Sequence, residues 1–209
     1  MNPDESHHDA ARVIFDCVQR MGDQATNAVL LALGDSREMR KGQKYPQAPL
    51  VFADGRWRAY YHSHALATGS AGEHGHFHIF VASGGDSGPD QWAHLAGLAM
   101  DQEGQPLRWF VTNRWVTAGP WARRDVLLAG IECLQPTAGD SLLVQWLMAM
   151  VCLYKTDIAG LLDARDDSIL KAMHHASMDK VLTDRSLYEL AEIRIDLLLR
   201  LQKQLPKYA

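Results

Sequence analysis

The chain has 209 residues, of which 47% are hydrophobic and 22% charged, with a formal net charge of −4 and a pI near 6.2. That is enough apolar residue for one sizeable core, so a single α+β domain over residues 1–209 is expected. A mildly acidic balance without a basic stripe excludes nucleic acid and anionic membrane surfaces as expected partners.

Ala10, Val13, Ile14, Cys17, Val18 and Met21 recur at helical spacing behind the capping residues Asp4 and Ser6. After Gly22 the segment "QATNAVLLALG" resumes helix, so residues 1–36 are expected to be N-terminal helices ended by Gly34. The start lacks the basic-then-apolar order of a secretory signal. Cys17, Cys133 and Cys152 are far apart with no C-x-x-C, as in free thiols of a reducing compartment, and the cytoplasm is the expected location. The connector that follows holds the only basic cluster, Arg37, Arg40, Lys41 and Lys44, which reads as a solvated linker. With Pro46 and Pro49 after it, no regular element is expected there.

Residues 50–118 read as an antiparallel sheet of about four to five strands, since no long helix separates the alternating segments. "RWRAYYHSH", "HGHFHIFVA", "WAHLAGLAMD" and "LRWFVTNRWVT" are the principal strands. Residues 121–205 read as a helical half, with "DSLLVQWLMAMVCLYKTDIAGLL" as one helical segment within it. Its most apolar run, Leu142 to Tyr154, is shorter than the ~20 residues needed to cross a bilayer and is expected to be a buried helix. The final segment, "SLYELAEIRIDLLLRLQKQL", opens on Ser186-x-x-Glu189 and has Leu/Ile at spacings of three and four, which predicts one long amphipathic helix. Helices, then sheet, then helices is an α+β order.

Chemistry concentrates in the strands. His62, His64, His74, His76 and His78 all occupy even positions in two neighbouring alternating segments. Residues i and i+2 of a strand share a face, so each H-x-H is a half-site whose imidazoles can converge on one ion. Antiparallel pairing of His62 with His76, or of His62 with His78, gathers all five on one face, whereas a bulge or an odd register splits them. The odd positions Trp57, Ala59, Tyr61, Phe77, Ile79 and Val81 form the apolar opposite face. His94 opens the next strand, but its parity across "SGGDSGPDQ" is not fixed.

The expected cofactor is therefore a divalent transition metal, zinc first, with iron, manganese, nickel or copper also compatible with imidazole. Glu73 and His76 are the candidate catalytic groups, Glu73 as carboxylate ligand or general base. Asn113 and Arg114, at the end of an apolar strand, are candidate substrate contacts, with Arg114 suited to an anion. The reading is a metal-dependent small-molecule enzyme, a hydrolase or an oxidoreductase. A non-catalytic binding or assembly protein, with the helical half forming a homodimer, is the alternative from another class.

Three resemblances accompany these readings, two of them local and the third over most of the chain. "HGHFHIF" resembles the signature of histidine-triad nucleotide hydrolases and transferases, which implies metal-free phosphoryl or nucleotidyl transfer with His76 as nucleophile; Gly75 stands where that family has a hydrophobic residue. "GDSGP" resembles the nucleophile segment of chymotrypsin-like proteases, but a Gly/Asp/Ser/Pro turn accounts for it and the rest of that pattern is missing. "EHGHFHIF", "TNRWVT" and "DRSLYELAEIRIDLL" together resemble a bacterial family of uncharacterised proteins, a domain of unknown function, which implies no activity.

Overall fold

A computed structural model describes residues 3–36, 39–40, 42–53, 55–63, 72–83, 92–132, 134 and 139–205. Helices α1 (Pro3–Asp23) and α2 (Ala28–Leu33) come first, followed by β1 (Tyr45–Phe52), β2 (Trp57–His62), β3 (Gly75–Ala82), β4 (Trp92–Met100) and β5 (Pro106–Thr112). The rest comprises α3 (Arg114–Thr117), α4 (Arg124–Glu132), α5 (Leu142–Leu153), α6 (Lys155–Ala172), α7 (Met178–Thr183), β6 (Glu189–Arg194) and α8 (Leu197–Gln204). All strand neighbours are antiparallel, in the order β1-β2-β3-β4-β5-β6. The α+β class holds, with six strands in place of four to five.

The sheet buries one face against helices. Trp57, Ala59, Tyr61, Phe77, Ile79 and Val81 all enter the main core, as alternation predicts. Phe77 lies 6.3 Å, centroid to centroid, from Trp146 of α5, and Trp109 of β5 lies 6.2 Å from Tyr154. Helix α1 packs on α5 through Ala10, Ile14, Cys17 and Met21 at spacings of three and four. Cys17 and Cys152 are free thiols, and Cys133 lies outside the described residues. Asn27 fixes the start of α2, its Oδ1 accepting from Leu30 N at 2.9 Å. No single helix among the described residues is long and apolar enough to cross a membrane.

Three expectations need correction. The connector is not irregular throughout, because β1 contains both Pro46 and Pro49. It is an edge strand whose register with β2 shifts between Tyr45 and Leu50, so the prolines fall where the ladder is irregular. The run from α5 into α6 is not continuous: it bends by 69° at Tyr154, whose ring packs under the Arg200 guanidinium at 4.7 Å.

The third correction matters most for the site. Residues 186–205 are not one helix, and Ser186 is no cap for it. Its hydroxyl and N–H both donate to Asp184 Oδ1, and Glu189–Arg194 pairs with β5 as the sixth strand. Ala191 and Ile193 pack against the core while Glu192 and Arg194 alternate with them, a period of two hidden among Leu and Ile that also fit a helix. The edge of β5 decides between the two readings, since its donors and acceptors gain a full ladder from β6.

Candidate metal centre

Pairing of β2 with β3 puts His62 directly opposite His76, one of the even-sum registers that strand parity allows. His78 stands two residues along the same face. The three ring centroids form a near-equilateral triangle of 4.6, 4.8 and 5.0 Å, and one ligand nitrogen from each lies within 4.8 Å of the others. All three side chains are buried, at 9%, 5% and 1% exposure for His62, His76 and His78. Metal–nitrogen bonds of about 2.0–2.1 Å fit a group of this size after small rotamer shifts. These three histidines can hold a metal ion.

Hydrogen bonds behind the ligands orient them. His76 Nδ1 meets Glu73 Oε1 at 2.7 Å and His76 Nε2 meets His62 Nε2 at 2.8 Å. A carboxylate only accepts, so His76 Nδ1 carries the proton of this bond. Glu73 in turn takes Arg108 Nη2 at 3.0 Å on its other oxygen. Burial opposes ionisation of Glu73, but the His76 bond and charge and the Arg108 guanidinium outweigh it and hold the carboxyl below its ordinary range. Arg108 also donates to Glu189 at 2.7 and 3.1 Å and to Glu192 at 2.9 Å. Three carboxylates around one guanidinium leave two formal negative charges beside the histidines, a field that favours a divalent cation.

A fourth imidazole joins from β4. His78 Nδ1 lies 2.9 Å from His94 Nε2, and His94 Nδ1 lies 3.4 Å from Thr112 Oγ1. A bulge makes this possible. Ile79 pairs with Ala96 but Phe80 pairs with His94, and the extra residue reverses parity so that His94 comes to the histidine face. Burial, reinforced by Arg165 and His76, pushes the His94 pKa down to about 3 and keeps the ring neutral.

Aromatic rings enclose the group. Phe110 lies 5.2 Å from the His76 ring, and Tyr60 lies 5.5 Å from both His62 and His78. Phe110 covers Gly97, the residue opposite His78; a Cβ at Gly97 would sit 2.2 Å from Phe110 Cζ. Glycine at this position makes room for the ring that closes the site.

Not every expected site residue converges. His74 precedes the first residue of β3, so the pleat does not bind it. Its ring stacks on Tyr61 and its Nδ1 bonds the Tyr61 hydroxyl at 2.9 Å, on the helix-packed side. Gly75 allows that contact, because a Cβ there would lie 2.7 Å from Tyr61 OH and from His62 O, which accounts for the departure from the histidine-triad pattern. His64 lies outside the described residues, as does "GDSGP".

Asn113 and Arg114 are not strand residues. The strand ends at Thr112, and Asn113, fully buried, caps α3 by accepting from Arg114 N at 2.8 Å while donating to Val181 O at 2.8 Å. Asn113 therefore has a structural explanation. Arg108 falls inside the expected strand "LRWFVTNRWVT", but two of its three carboxylate partners, Glu189 and Glu192, sit on the segment that reads as helix, so the pairing leaves no local signal. His94 carried no signal beyond its proximity, since a bulge leaves no mark in the alternation.

No curated protein and no solved structure is similar enough to the chain to count as a match. A family model described as a domain of unknown function, DUF6969, matches residues 8–195. The chain belongs to that family, and the histidine centre lies inside the matched region.

Proposed function

We propose that this protein is a metal-dependent enzyme acting on a small molecule, a hydrolase or an oxidoreductase, with His62, His76 and His78 as its protein ligands. One observation carries the reading. Three buried imidazoles from two paired strands converge, and the middle one is backed by a carboxylate, the arrangement that fixes tautomer and basicity in metal-ligating histidines. A three-nitrogen set leaves coordination positions open, and a divalent ion there supplies a Lewis acid and an activated water. Zinc suits such a set best; iron, manganese, nickel and copper are compatible.

The residues divide the work. Glu73, with both oxygens engaged, positions His76; it does not serve as the mobile base suggested by sequence alone. His94 orients His78 and stays neutral. Phe110 and Tyr60 exclude water from the sides of the group, which strengthens every electrostatic contact inside it.

Elemental analysis of untagged protein purified without chelator tests the reading. The expected result is about one equivalent of a transition metal per chain, lost in a His62→Ala/His78→Ala variant; less than about a tenth of an equivalent overturns it. The Glu73–His76 contact at 2.7 Å also supports a metal-free reading, in which His76 is the nucleophile of phosphoryl or nucleotidyl transfer. That reading requires a phosphohistidine adduct in metal-stripped protein, and a lack of adduct with any nucleotide substrate excludes it.

A further inference from the structure

The histidine face continues into a cleft of ≈ 430 Å³. Its walls are Lys44, Arg58, Tyr60, Phe80, Trp92 and the 117–120 turn. Lys44 Nζ sits 4.3 Å from the centre of the Tyr60 ring, and the Arg58 guanidinium is 5.9 Å from both Phe80 and Trp92. Among the described residues no carboxylate lines the cleft, and Arg58 Nε is buried without a hydrogen-bond partner. Two cations on aromatic walls, with no acid among the described lining residues, make a site for a negative charge on a flat apolar body.

Strand geometry ties the cleft to the metal centre. Arg58, Tyr60 and His62 alternate along one face of β2, so Arg58 stands about 13 Å along the strand from His62. Tyr60 lies between them, and Phe80 touches both His78 and His94 at 6.2 and 5.4 Å. A ligand whose oxyanion meets Lys44 and Arg58 lays its body on Tyr60 and Phe80 and extends toward the histidines. The sequence places Lys44 in an expected solvated linker and offers Arg114 as an anion contact; the cleft offers Lys44 and Arg58 for such a contact.

We propose that the cleft is the substrate-binding subsite of this protein, and that it holds a small planar organic oxyanion, a carboxylate or a phosphate, through Lys44 and Arg58. The word substrate rests on the metal-enzyme reading; the oxyanion site does not.

Isothermal titration of the full chain with 1-naphthoate, 1-naphthyl phosphate and the neutral 1-naphthamide tests this, on metal-loaded and chelator-treated protein. The expected result is binding of at least one of the two oxyanions to chelator-treated protein, with the amide at least about ten-fold weaker. Arg58→Gln and Lys44→Met should each weaken that oxyanion at least about ten-fold, while Arg123→Gln, on the exposed Arg123–Asp125 pair, changes nothing. The tighter of the two oxyanions names the head group. If Arg58→Gln fails to fold, Lys44→Met decides, because Lys44 precedes β1 and is exposed, with its Nζ over the Tyr60 ring. Equal affinity for oxyanion and amide overturns the proposal, as do unchanged affinities in both variants or no oxyanion binding up to about 10 mM. Metal content is measured on the same samples. Charge-dependent binding without metal leaves the cleft standing and removes the metal-enzyme reading, and metal without charge-dependent binding does the reverse.

Discussion

Replacing Arg108 by Met removes the cation on which Glu73, Glu189 and Glu192 converge, while keeping an unbranched stem in place. The side chains of Arg108 and Glu73 are only 6% and 8% exposed, so their 3.0 Å contact is little screened. Breaking a buried pair of this kind costs about 3–5 kcal/mol, chiefly because a desolvated charge is stranded. Glu189 and Glu192, at 30% and 49% exposure, retain water and add only about 0–1 kcal/mol each. Loss of the guanidinium from the Phe110 face, 4.7 Å away, adds about 0.5–1 kcal/mol.

Urea denaturation of chelator-treated protein, with m held as a check on two-state behaviour, should therefore show a loss of about 4–8 kcal/mol. At about 2–4 °C per kcal/mol for a chain of this size, Tm falls by about 8–32 °C. The double variant Glu73→Gln/Arg108→Met carries no stranded carboxylate and should be about 1–2 kcal/mol more stable than Arg108→Met alone. An Arg108→Met cost below about 1 kcal/mol, or a double variant less stable than the single, refutes the argument that Arg108 exists to neutralise Glu73.

Metal affinity should separate the histidines: His62→Ala and His78→Ala abolish binding in a competition assay, whereas His74→Ala leaves it unchanged and costs about 0.5–1.5 kcal/mol through the lost Tyr61 bond. Gly97→Ala places a Cβ 2.2 Å from Phe110 Cζ, so the ring must swing out; about 1–3 kcal/mol of stability and some metal affinity go with it, read by thermal melts and the same competition assay. Asn113→Ala should cost about 1–3 kcal/mol in urea through its lost bonds to Val181 and Arg114, with metal affinity intact. Glu73 has a folded pKa below its ordinary value of 4.5, so its contribution is complete above that value and is lost as pH falls through the folded one. Acid titration of chelator-treated wild type against Glu73→Gln reads this as a stability gap that closes below pH 4.5; a gap that widens there contradicts the assignment.

Strand parity carried the sequence reading a long way. The pleat alternates wherever a strand is regular, so within β2 His62 stands on the face opposite Trp57 and Tyr61, and within β3 His76 and His78 stand on the face opposite Phe77 and Ile79, by residue number; the even register between the strands joins the two histidine faces. Parity fails where the pleat is interrupted: His74 escapes it by preceding the strand, and His94 is brought in by a bulge. Asn113 shows the same limit, because its neighbours alternate like a strand while its side chain closes a helix cap.

What the sequence by itself determined is the local part: the antiparallel order of β2 to β5, the buried α5, and the face that bears the ligands. Only the tertiary structure decided that residues 189–194 are a strand and that Arg108 meets Glu189, 81 positions away. It also decided that Lys44 and Arg58 share a cleft. The physical reason is where the deciding energy resides. Alternation is a property of one strand's own backbone. The choice of strand over helix for 189–194, by contrast, came from the unpaired edge of β5, a partner that no local pattern contains.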